Sequence, residues 1–207
     1  MPDDYQRIAP VYDLILDPLL NPLRRRISNI MQEYRVGKVV DLGCGTGKQC
    51  AFLHRANLDV YGVDRSASML SKASNNTPEG IKYQLQDFTS TAFQDNYFQA
   101  SLISLVLHEH DQKTQHSMLT EARRVTEQGG ITVILEHHVP DSLSSWIMHH
   151  ISCIPERLAG RRHYHNYISF MKNRGLPGLL DSRHDLIIVR AEPYFFGGLM
   201  LYVLKCA

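Results

Sequence analysis

The chain has 207 residues, 43% of them hydrophobic and 21% charged, with a formal net charge of +1 at pH 7. That length supports one domain with a core needing neither disulfides nor metal. The charge balance gives no support to a broad electrostatic footprint for nucleic acid and leaves only a local basic patch open, and no stretch approaches the roughly 20 apolar residues of a membrane span.

Cys44, Cys50, Cys153 and Cys206 form no CxxC pair, so reduced thiols in a cytoplasmic protein are expected. The opening MPDDYQRIAP is acidic and polar, unlike a secretory leader. Residues 1–37 read as two or three short helical pieces broken by prolines, forming a lid. KVVDL (38–42) reads as a buried strand, followed by a Gly turn and a helix over 50–56. A strand over 58–64 and a helix over 66–74 follow, then strands over 81–87 and 98–108. Residues 111–129 read as a helix, with Asp111 as N-cap and Gly129 as the C′ residue. A fifth strand is expected over 129–137.

Residues 140–182 read as a helical substrate insert rich in His, Tyr and Met. The runs 185–196 and 197–207 are strand-like and joined too tightly for a parallel crossover. The expected fold is therefore α/β and Rossmann-like: a seven-stranded, mostly parallel sheet with a C-terminal antiparallel hairpin and helices on both faces. The whole chain is one domain, with a core over 38–139 and terminal antiparallel strands over 183–207.

VVDLGCGTGKQ carries Gly43, Gly45 and Gly47 at alternate positions after the first strand. Such a turn lets backbone approach a ligand. The spacing is GxGxG, not the GxGxxG of a dinucleotide site or the GxxxxGK[ST] of a phosphate loop. A purely structural tight turn is the alternative. Asp64 ends the second strand about 20 residues on, where an acid meets ribose hydroxyls; it competes with Ser66 as the cap of the next helix. Asp87-Phe88 ends the third strand, where an acid can accept from an adenine amino group or simply close a turn.

VVDLGCGTGKQ, YGVDRSASML, LQDF, SLISLVLHE and GGITVILEH, in that order, resemble the class I S-adenosylmethionine (SAM)-dependent methyltransferases. Within that class, YQRIAPVYD and LVLHE are similar to the ubiquinone/menaquinone-biosynthesis C-methyltransferase group. The resemblance implies that Asp41 orients the turn and that Gly43, Cys44, Gly45 and Gly47 flank the amino acid end of SAM. It further implies that Asp64 takes the ribose with Arg65 beside it, and that Met69 covers adenine. Asp87 and Phe88 would read the adenine edge, Leu105 and Val106 would lie by the sulfonium, and Tyr12 would close over the cofactor.

A general base is needed only if the acceptor must lose a proton. His108, Glu109 and His110, just past strand four, are the candidates for acid/base or orienting work, His108 first. His108 could equally pack under a helix. HEH (108–110), EHH (136–138), HH (149–150) and HYH (163–165) contain ligand-type residues. Gln112 stands where HExxH requires its second His, and no metal site is expected. RRHYHNYISFM (161–171) forms either a substrate wall or a solvated helix with its aromatics inward.

Neither [DN]PP[YF] nor a Pro-Cys nucleophile is present, and the only basic runs are 24–26, 123–124 and 161–162. A small-molecule acceptor, quinol- or phenol-like, is therefore expected, with no nucleic acid partner. An RNA or protein methyltransferase of the same fold, a SAM-binding regulator without turnover, and a nicotinamide dehydrogenase remain alternatives. The chain is expected to be a monomer or homodimer; Ile147, Met148 and Ile151 could line a lid or face a partner.

Overall fold

The computed structural model describes the backbone of residues 9–207, and side chains from residue 20 onward apart from those of 152 and 155. Its elements are α1 (Ala9–Glu33), β1 (Lys38–Leu42), α2 (Lys48–Arg55), β2 (Asp59–Asp64), α3 (Ala67–Asn76), β3 (Lys82–Leu85), β4 (Phe98–Ser104) and α4 (Gln112–Val125). They continue with β5 (Thr126–His137), α5 (Leu143–Leu158), α6 (Arg161–Lys172), α7 (Gly175–Leu180), β6 (Leu186–Tyr194) and β7 (Leu199–Cys206). The seven strands order as β3-β2-β1-β4-β5-β7-β6. β1 to β5 pair in parallel, and β7 runs antiparallel to both β5 and β6. The expected sheet and terminal hairpin are both present.

Alternation along each strand divides the core into two layers. Val39, Val60, Leu102, Val133 and Leu201 face α1, α2 and α3, where Ile27, Ile30, Leu53 and Leu70 meet them. Val40, Val63, Ile103, Ile134 and Leu204 face the opposite way, onto Met118 and Leu119 of α4, Tyr167 and Phe170 of α6, and Leu176 of α7. Runs buried on both faces are why the central strands read as continuous apolar stretches.

Three expectations change. The N-terminal segment is one helix from Ala9 to Glu33, not several pieces. Each interior proline, Pro18 and Pro22, costs about 3 kcal/mol. Burial of Leu23, Ile27, Ile30 and Met31 against the sheet, at about 2 kcal/mol each, offsets both. Second, α4 stops at Val125, and Gly129 lies inside β5 rather than capping the helix. Thr126 turns the chain out of the helix, its hydroxyl donating to the Ala122 carbonyl at 2.6 Å. Third, β4 ends at Ser104 because Leu105 adopts φ 56°. Asp111 caps α4 as expected, accepting from Thr114 N at 2.9 Å.

The insert is helical, but Ile147 and Ile151 are 47% and 52% exposed on the outer face of α5. No helix among the described residues is long and apolar enough to cross a membrane.

Gly62, inside β2, lets the Tyr83 ring lie flat on the sheet; a Cβ there would meet Tyr83 Cδ1 at 2.7 Å and Cys44 Sγ at 2.9 Å. Gly62→Ala is expected to lower stability by about 1–3 kcal/mol through overpacking, read as a shifted urea midpoint at unchanged m-value. A change within about 0.5 kcal/mol would show that the ring yields freely.

Candidate active site

A cleft of about 790 Å³ opens at the carboxyl ends of β1, β2 and β4, where open α/β sheets bind ligands. Its size falls within the range of small-molecule sites, roughly 300–1,000 Å³.

The glycine turn forms its floor. Gly43 N and Cys44 N donate to Val63 O at 2.8 and 2.9 Å, tying the turn to β2. Gly43 (φ 85°) has no room for a side chain, since a Cβ would strike Val106 Cγ2 at 2.9 Å. Gly45 (φ 53°) is different: a Cβ there would meet nothing within 4 Å, so its backbone faces open cleft. Gly47 turns away from the cleft, toward Ala73 and the Tyr83 phenol, and does not line it. Ligand approach and tight packing therefore both apply, at different glycines.

Asp64 ties this turn to the next. Its Oδ2 accepts from Gly45 N at 2.9 Å and its Oδ1 from Ser66 N at 2.8 Å. Ser66, not Asp64, caps α3, accepting from Met69 N at 3.3 Å. Asp87 closes its own turn: Oδ1 accepts from Thr89 N at 2.8 Å and Thr89 Oγ1 at 2.6 Å. These bonds, Thr89's side chain and backbone, hold its carboxyl below its usual range. Asp87 does not line the cleft, whereas Phe88 does, with the Arg65 guanidinium 5.6 Å from its ring centre.

The opposite wall follows β4. Leu105 is held in the left-handed region, with its N–H bonded to Leu135 O at 2.8 Å. A non-glycine residue in that region costs on the order of 1–3 kcal/mol. The turn it begins is fixed from three sides. Gln115 Nε2 donates to Leu107 O (3.0 Å) and His110 O (2.7 Å), Asn166 Nδ2 donates to Glu109 O (2.6 Å), and Glu136 accepts from Leu107 N (3.0 Å). Glu109 and His110 consequently face the cleft. Burial first, then Arg65, pushes the His110 imidazole down to about 4, leaving it neutral at pH 7.

His108 points inward instead. It is 3% exposed and absent from the cleft wall. Its Nδ1 meets Glu136 Oε1 at 2.6 Å. Burial disfavours its charged form, but the Glu136 and Glu156 carboxylates outweigh this and raise its pKa to about 9. The alternative of a packed histidine describes its place, with carboxylate partners rather than backbone ones.

Asp41, Cys44, Met69 and Val106 line the cleft. Tyr12 lies in the part of α1 whose side chains are outside the described residues. Two buried acceptors on the wall, Asp41 Oδ1 and Gln49 Oε1, have no hydrogen-bond partner among the described residues. Such atoms cost roughly 1–3 kcal/mol each unless a ligand donates to them. Beside the open backbone of Gly45, this donor-seeking corner fits a ligand carrying an ammonium group, as SAM does.

Sequence reasoning missed Arg24 and Gln49, and it left Arg161 and Arg162 undecided between wall and solvent. α6 does both: its first turn lines the cleft, while Tyr167 and Phe170 are buried. Glu136 and Glu156 were also missed. An acid at the end of the apolar run ITVILE was the available signal for Glu136.

The profile of a methyltransferase domain matches residues 40–134. Demethylmenaquinone methyltransferase of Paenarthrobacter aurescens is 35% identical over 140 residues, covering 66% of this chain and 54% of that protein. The enzyme of the same name from Thermotoga maritima is 30% identical over 145 residues, covering 67% and 62%. The chain thus spans roughly half to three-fifths of the length of these relatives. An O-methyltransferase family protein from Burkholderia thailandensis superposes with TM-score 0.72 at 16% identity, over 98% of this chain and 60% of that one, a likeness of fold.

Burial pushes the Asp41 carboxyl up to about 7. Between the unfolded carboxylate value near 3.9 and this raised one, only the unfolded chain ionises, so rising pH erodes folding stability. Without ligand, Asp41→Asn should gain stability relative to wild type from pH 5 to pH 7, reaching a few kcal/mol, and level off above. Thermal midpoints of both proteins across that window check this; parallel curves would refute it.

Proposed function

Because the chain belongs to the class I SAM-dependent methyltransferases, we propose that it transfers a methyl group from SAM to a small-molecule acceptor bearing a quinol- or phenol-like ring. The observation that carries this reading is the pair of unsatisfied buried acceptors, Asp41 Oδ1 and Gln49 Oε1, beside Gly45 in the cleft. The acceptor class is supported by the relatives, which are named as demethylmenaquinone methyltransferases.

Bound SAM supplies a methyl group already activated by its sulfonium. The chain's own task is then to align the two reactants and exclude water. Asp41 and Gln49 hold the ammonium end, and Asp64, fixed by Gly45 N and Ser66 N, turns its carboxylate to the ribose diol. Met69 and Phe88 offer apolar faces to the adenine, with Arg65 beside them. Leu105 and Val106 stand where the methyl must travel, and their lack of polar groups keeps water from the reacting atoms.

On the acceptor side, Glu109 and neutral His110 orient a ring hydroxyl by hydrogen bonding. Pushed down to about 4, the His110 imidazole is neutral at neutral pH and can either donate or accept in that hydrogen bond. His108 acts as a positioning residue that holds the turn, rather than touching the acceptor. Leu20 and Arg24 of α1 and the first turn of α6 close the cleft from above.

Calorimetric titration with SAM, its demethylated product and NADH tests this. The first two should bind in the micromolar range, and Asp64→Ala should weaken them at least tenfold, about 1.4 kcal/mol. Equal binding by the variant, or binding of NADH alone, would refute the assignment. With binding established, transfer of labelled methyl to quinols and phenols, and none to RNA or protein, is expected.

A further inference from the structure

Half of the exposed large hydrophobic side chains among the described residues lie on one helix, α5. Five are aliphatic: Leu143, Ile147, Ile151, Ile154 and Leu158. Their spacing of i, i+4, i+8, i+11 and i+15 places them in one stripe along the helix. Trp146, 52% exposed, borders that stripe on one side together with His150 and Arg157. The opposite face buries Ser145, Cys153 and Glu156.

The turn between β6 and β7 packs on the same helix, for a Cβ on Gly197 would meet Ser145 Cβ at 3.2 Å and one on Gly198 would meet Met148 Cβ at 3.0 Å. That turn holds Phe195 and Phe196 in the left-handed region, at φ 48° and 54°, a conformation uncommon for bulky residues. Phe196 is 77% exposed there. A contiguous apolar surface of this kind marks an interaction site.

We propose that the outer face of α5, with Phe196, docks the chain on the surface of an anionic lipid bilayer, the helix lying in the plane of the interface.

Charge selects this occupant. Across α5 and the first turn of α6, the cations Arg157, Arg161 and Arg162 are all exposed, and the one acid, Glu156, is buried. A second copy of the chain would bring the same cations against these. Anionic headgroups supply the opposite charge. Composition agrees, since an apolar stripe edged by tryptophan and arginine is the pattern of helices that seat one face at the boundary of headgroups and acyl chains. Length fixes the mode of contact. The 16 residues of α5 extend about 24 Å, short of the roughly 30 Å of a hydrocarbon core, so the helix lies on the bilayer and does not span it. The stripe ends at Leu158, and the residues that follow, 159–163, line the cleft. Docking therefore brings that wall of the cleft to the bilayer surface. The proposal does not rest on the methyl-transfer reading.

Trp146 is the only tryptophan in the chain, so its fluorescence reports on this face. With vesicles of mixed phosphatidylcholine and phosphatidylglycerol, its emission should move to shorter wavelength and its quenching by acrylamide should fall. The protein should float with those vesicles. Vesicles of phosphatidylcholine alone should bind at least tenfold more weakly, and added salt should weaken binding to the anionic ones. Ile151→Glu and Leu158→Glu, both at exposed positions, should each lose at least tenfold in vesicle affinity, whereas Ile187→Glu on β6 should leave it unchanged. If an α5 variant fails to fold, quenching of wild-type Trp146 by brominated lipid decides. No binding to either vesicle, a Trp146 still open to acrylamide on vesicles, or affinity kept by both α5 variants would overturn the proposal. So would self-association in sedimentation velocity that Ile151→Glu abolishes, with no vesicle effect on Trp146; the face would then belong to a second copy.

Discussion

Glu136 is a carboxylate with no solvent exposure at the end of a buried strand, and the far half of the cleft depends on how it is satisfied. It accepts from four donors: Leu107 N at 3.0 Å, His108 N at 3.4 Å, His108 Nδ1 at 2.6 Å and His137 N at 2.7 Å. A buried charge without such partners would be prohibitively costly. The backbone of residues 107–109 must therefore coil around it. That coil, pinned also by Gln115 and Asn166, is what turns Glu109 and His110 outward. Burial disfavours the Glu136 anion, but His108 more than compensates and keeps it ionised. One acid thus sets both the wall of the cleft and the orientation of His108 behind it.

The near half is organised by the same device at a smaller scale. Asp64 accepts two backbone N–H groups from two different loops, so the glycine turn and the start of α3 are held at a fixed separation. Asp41 is the deliberate exception. One of its oxygens takes the Cys50 thiol at 3.4 Å, and the other is left buried and open. Pre-formed sites keep unsatisfied groups where a ligand will meet them, and the strain at Leu105 on the facing wall belongs to the same pattern.

Much of this was legible in the sequence because strand alternation and turn chemistry are local. The central strands, the cap at Asp111, the glycine turn and the tight terminal hairpin all follow from spacing within a few residues. Failures came where distant contacts overrule local preference. Pro18 and Pro22 signal breaks, yet α1 continues because four of its side chains are buried on a sheet not yet made when α1 is read. Gly129 looks like a helix stop, but pairing with β4 claims the residues before it. His108 looked like the reactive histidine because it stands at the sheet's functional edge; only the position of Glu136, 28 residues later, shows that it turns inward. Glu156 gave no signal at all, since its meaning comes entirely from three histidines on other elements.

Strand order has a further consequence, for the sequence of assembly. β5 carries Glu136 and His137, and it is flanked by β4 on one side and β7 on the other. Until residues 199–206 have been synthesised and inserted, β5 is an open edge, with the register from Ile131↔Lys205 to His137↔Leu199 unset. A slip of one residue would send Leu201 and Val203 of β7 to the opposite face of the sheet. The growing chain can therefore build its glycine turn early, from neighbouring strands. The outer edge of β5 stays unpaired until β7 has left the ribosome. Nascent chains lacking that strand would expose a sticky edge.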